Sequence, residues 1–90
     1  MSQKDAYIAK KEAELHELKA KIELVKAKAE KATAESRIEY NKQIKALEAR
    51  HKDISKWFDK LRSASEDGFE AVKSGFESAW HEFTSLFNKH

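Results

Sequence analysis

The chain has 90 residues, 38% of them charged and 40% hydrophobic, with no proline, no cysteine and only two glycines, Gly68 and Gly75. So few turn formers exclude a β-sandwich, a barrel or a doubly wound sheet. The lack of cysteine removes disulfides, thiolate nucleophiles and cysteine-based metal sites. The net charge of +2 is unevenly spread: residues 1–62 carry 16 Lys/Arg against 11 Asp/Glu, whereas residues 63–90 carry 2 against 5. Seven of the nine aromatic residues lie after residue 56. No apolar run reaches the roughly 18–20 residues that span a bilayer, and residues 1–11 lack the apolar centre of a signal peptide. A cytoplasmic, all-α single domain over 1–90 is expected.

From Asp5 to about Arg62 there is no glycine or proline, and Ala, Lys, Glu, Leu and Arg dominate. These residues lose least on entering a helix. Apolar residues recur at Ile8, Leu15, Leu18, Ile22 and Val25, continuing through Ala29 and Ala32, with Lys11 as the one break. After a phase slip near Ser36 the stripe resumes at Tyr40, Ile44, Leu47, Ile54, Phe58 and Leu61, with His51 in the seam. This heptad-like spacing predicts helices packed side by side. The pairs Glu17–Lys21 and Glu48–Lys52 have the favourable i,i+4 order and add a few tenths of a kcal/mol each.

The leading expectation is one helix over about 5–62, roughly 87 Å long at 1.5 Å per residue. No glycine or asparagine ends it near the middle, and a phase slip does not by itself stop a helix. The alternative is a compact three-helix bundle over 5–33, 37–62 and 66–88, because Ser36 and Glu39 have capping-box spacing.

The strongest punctuation is Ser63-Ala64-Ser65-Glu66-Asp67-Gly68, a turn at 63–67 with Ser63 or Ser65 as the next N-cap. A shorter helix over about 66–88 follows. It carries three heptads in register: Phe69, Phe76 and Phe83 share one position, and Val72, Ala79 and Leu86 another. Trp80 and Phe87 widen this face. The short turn predicts an antiparallel hairpin over 36–90. Its expected core is Tyr40, Ile44, Leu47, Ile54, Phe58 and Leu61 against Phe69, Val72, Phe76, Trp80, Phe83 and Phe87.

Residues 1–35 then form a projecting coiled-coil arm. A lone helix cannot bury Ile8, Leu15, Leu18, Ile22 and Val25, so these residues are the expected oligomer seam. A homo-oligomer follows, with a dimer favoured. Setting Glu12 against Lys26 and Glu14 against Lys28 tilts it weakly towards antiparallel arms, in which only Lys19 and Lys21 face like charge.

No residues point to catalysis, a cofactor or a metal. The carboxylate pairs Glu12/Glu14 and Glu66/Asp67 fall on solvent faces, and His16, His51, His81 and His90 lack the spacing of paired metal ligands. Acidic residues interleave the basic ones throughout, which disfavours nucleic acid. The aromatic helix has an interfacial look, but its polar face is acidic, so a lipid surface is the lesser reading.

At Gly68-Phe69-Glu70-Ala71-Val72-Lys73-Ser74-Gly75-Phe76-Glu77-Ser78-Ala79-Trp80 and at Tyr7-Ile8-Ala9-Lys10-Lys11-Glu12-Ala13-Glu14-Leu15, the chain resembles short bacterial coiled-coil proteins of unknown function. It is also distantly similar to the amphipathic repeats of apolipoproteins. The resemblance implies a helical hairpin and a bacterial cytoplasm, and no activity. The expected function is a non-enzymatic structural or adaptor coiled coil that self-associates and offers a helical protein-binding surface. The alternative is an amphipathic protein at a lipid or hydrophobic-granule interface.

Overall fold

The computed structural model describes residues 2–88. The chain is all-α, with α1 (Gln3–Lys31), α2 (Ala34–Ser63) and α3 (Phe69–Asn88) in that order. The bundle measures 51 × 20 × 19 Å. A single helix over 5–62 does not form, because the chain turns back at Ala32 and Thr33, and the compact three-helix arrangement holds instead.

The turn is made by side chains that replace a glycine. Thr33 is the N-cap of α2, its hydroxyl accepting from the Ser36 N–H at 3.3 Å. Thus α2 starts three residues before the expected Arg37. At the end of α1 the Arg37 guanidinium donates to the carbonyls of Ala29 (3.3 Å), Glu30 (3.4 Å) and Ala32 (3.4 Å). Carbonyls at a helix end need such donors, and a guanidinium supplies several from one side chain. At the opposite end, the Lys4 ammonium donates to the Ala64 carbonyl and ties the start of α1 to the end of α2.

A two-residue connection makes α1 and α2 antiparallel neighbours. Here α1 packs against α2 of its own chain rather than projecting as an arm. Leu15 and Ile22 are buried in the common core, with Ile8, Leu18 and Val25 packed against it. The expected oligomer seam is thus covered by the chain's own helices. Leu47, Ile54, Phe58, Leu61, Phe69, Phe76, Ala79 and Phe83 complete the buried cluster, and Ile54, Leu61, Phe76 and Phe83 are its most enclosed members. Val72, Trp80 and Phe87 pack on its margin, as do Tyr7, Trp57 and Leu86.

The second turn uses Ser65, whose hydroxyl accepts from the Gly68 N–H at 3.2 Å. Ser63 instead donates to the Asp59 carbonyl at 3.0 Å within α2, so the Ser63–Glu66 capping box is not formed. The shortened α3 has two unlike flanks. Towards α2 it carries Gly75, where a Cβ would overlap the Trp57 indole, and Ala79 one turn on. Towards α1 it carries Phe69, Trp80 and Lys73. Small residues let α3 pack closely along α2, while large ones make α1 meet α3 chiefly through long side chains.

The α1–α2 pair continues past Asn88, the last described residue of α3, as a two-helix tip. Tyr40 and Ile44, expected in the core, lie there: both are half-buried and outside the core cluster.

Candidate functional site

On the flank of the α1–α2 pair away from α3, residues beside the Leu15–Ile22–Ala29 row face residues beside the Leu47–Ile54–Leu61 row. Three clefts follow one another along this seam. The first, about 280 Å³, lies between Glu12 and His16 of α1 and Ser55 and Arg62 of α2, over Leu15 and Phe58. The second, about 160 Å³, shares Lys19 and His51 with it and has Ile22 as its floor. The third, about 450 Å³, shares Lys26 with the second and runs over Ala29 and Ile44 to Arg37 and Asn41. From Glu12 to Glu30 the groove is roughly 27 Å long at 1.5 Å per residue, about five helical turns.

Its rims pair opposite charges. Glu12 shares the lower cleft with Arg62, and Glu30 shares the upper one with Arg37. In the middle Lys26 meets Glu48 at 2.9 Å and Glu23 at 3.5 Å. The hydrogen bond that Lys26 donates to the Glu48 carboxylate raises its pKa above the ordinary value; desolvation opposes this and the Glu23 charge adds to it. His51 stands half-buried between Lys19 and the core, its ring centre 5.8 Å from that of Phe83 in an edge-to-face arrangement. Burial lowers its pKa from 6.5, Lys19 lowers it further, and Glu48 opposes them.

The seam between α1 and α3 is closed by aromatic rings and ammonium groups. Lys11, the apparent break in the sequence stripe, lays its ammonium 4.2 Å from the Trp80 ring centre and pairs with Glu14 at 3.4 Å. Lys73 sits 4.7 Å from the Tyr7 ring centre. The Tyr7 hydroxyl donates to Glu77 at 3.1 Å, and burial followed by that bond pushes its pKa far up. Lys11 thus lies over an aromatic ring with its charge still reaching Glu14, so it fits a core-facing position.

None of the sequence's candidate chemistry converges. Glu12, Glu66 and Asp67 are exposed, as are His16 and His81, while His90 lies outside the described residues. Ser55 and His51 line one cleft, but no hydrogen bond joins them among the described residues. No three His, Asp or Glu among those residues group as a metal ion needs, and no helix is long and apolar enough to cross a membrane. The expected i,i+4 ion pairs are replaced by i,i+3 pairs such as Lys42–Glu39 (3.7 Å) and by the interhelical Arg50–Glu82 (2.8 Å). The groove was not legible in the sequence because it exists only once α1 folds back on α2. The signal available was the phase slip, which marks where the chain reverses. Comparison of the chain with protein-family models, curated proteins and solved structures finds no match.

Proposed function

We propose that this chain is a non-enzymatic cytoplasmic adaptor that receives an amphipathic helix of a partner protein in the α1–α2 groove. The observation that carries this reading is the run of three joined clefts with an apolar floor and charged rims. A helix laid there inserts apolar side chains at i, i+3/i+4 and i+7 over Leu15, Ile22 and Ile44. Charges balanced across the groove favour a partner by the order of its own charges rather than by net charge. Self-association belongs to the same reading if the docked helix comes from a second copy, since the seam residues are already covered within the chain. The lipid-surface reading has less support, because Phe76 and Phe83 are sealed in the core and the bundle would have to open first.

A photoreactive residue in place of Asn41, on the groove rim, tests the proposal in the native cell. Ser78, exposed on α3, is the control position. The expected result is an adduct with one helical segment at position 41, lost in Ile44→Glu, and none at position 78. Equal labelling at both positions contradicts a specific groove. An adduct between two copies makes the partner a second copy of this chain.

A further inference from the structure

A fourth cleft lies on the other flank of the tip, directly beyond the end of α3. Its volume is about 330 Å³, within the range of about 300–1,000 Å³ usual for small-molecule sites. Val25 and Leu47 form its floor, and Leu86 and Phe87 of α3 form its lower wall. Its polar groups are Lys28, Gln43 and the phenol of Tyr40. It differs in charge from the other three clefts. Each of those is lined by at least one carboxylate (Glu12, Glu30, or Glu23 with Glu48). Among the described residues this one is lined by Lys28 and by no carboxylate, although acidic residues are interleaved along both of its parent helices. Among the described residues Lys28 takes part in no ion pair.

An apolar pocket with one ammonium and one amide at the rim complements a ligand with one anionic end and a hydrocarbon body. We infer that the cleft at the end of α3 binds a medium-chain aliphatic carboxylate, its head held by Lys28 and Gln43 and its tail between Val25, Leu86 and Phe87 over Leu47. The lining sets this direction, since Lys28 and Gln43 lie on the α1 and α2 rims while Leu86 and Phe87 form the apolar wall. The site lies on the opposite flank from the partner groove and does not depend on it.

Decanoate below its micellar concentration is the probe, with decanol as the uncharged control, read by NMR shifts of labelled full-length protein and by its melting temperature. The expected result is saturable shifts confined to Val25, Leu47, Leu86 and Phe87, together with a rise in melting temperature. Lys28→Glu should weaken binding roughly fivefold or more, as loss of one rim ion pair implies, and Lys21→Glu outside the cleft should leave it unchanged. Both lysines are exposed, so neither change threatens the fold. The inference is overturned by absence of saturation, by shifts spread through the core, by equal binding of decanol, or by unchanged binding in Lys28→Glu.

Discussion

The body of the bundle and its tip are built from the same two helices, yet only the body has a third. Where α3 is present, Ile54, Leu61, Phe76 and Phe83 are 0% exposed. Past Asn88, Tyr40 and Ile44 continue the same heptad row but stay half-buried and line open clefts. A heptad position therefore predicts which way a side chain faces, and the length of the neighbouring helix decides whether it is covered. The core stabilises the fold, and the uncovered continuation of that core supplies binding surface.

The largest test of this contrast is truncation on either side of it. Phe76→Ala should cost about 3–5 kcal/mol, as for a fully buried ring, whereas Ile44→Ala in the tip should cost about 1 kcal/mol. Denaturant unfolding of the two variants measures both. Similar losses would mean that the tip is packed like the body.

Next in size is the α2–α3 contact. Gly75→Ala places a methyl against the Trp57 indole and should cost about 1–3 kcal/mol as overpacking. Because Trp57 must move, its fluorescence should shift as well. A variant as stable as the parent with unchanged emission would show that α3 does not rest on that ring.

Arg37→Ala removes the guanidinium from the three carbonyls at the end of α1. The bonds are partly exposed, so a loss of about 1 kcal/mol is expected from denaturant unfolding. Hydrogen exchange should quicken in the last turn of α1 and not in α3.

The smallest effect is pH dependence at His51. Its pKa is lower in the fold than the ordinary 6.5, so the unfolded chain takes up the proton first. Stability from this group is full above about pH 6.5 and is lost as the pH falls through that value towards the folded pKa. Thermal melts at pH 7.5 and pH 5.5 should differ less in His51→Leu than in the parent.

Much of the fold is readable from residue spacing. The three Phe heptads mark α3 and its buried face, and the Ser-rich turn before it marks the reversal. The break near the middle is harder, because the chain ends α1 without glycine or asparagine. Arg37 does that work from five residues beyond Ala32, and no local pattern for a helix end contains it. Ser36 and Glu39 look like a capping box, yet the cap is Thr33, which leaves Ser36 as the donor. Lys11 reads as a flaw in the stripe because its partner Trp80 is 69 positions away in a helix whose placement the stripe does not fix. The groove and the cleft beyond α3 depend on that placement too, so neither is visible before the chain is folded.

The central claim is that α1 is covered by its own chain. Spin labels at Ala6 and Ser63, both exposed, test it through their pulsed-resonance distance, with and without dilution by unlabelled protein. The account predicts a short distance, under about 30 Å, that survives dilution, since the bundle is 20 × 19 Å in section and these residues lie at one end of it. A distance of roughly 85 Å, as 57 residues of unbroken helix would give, or a short distance that vanishes on dilution, would contradict it.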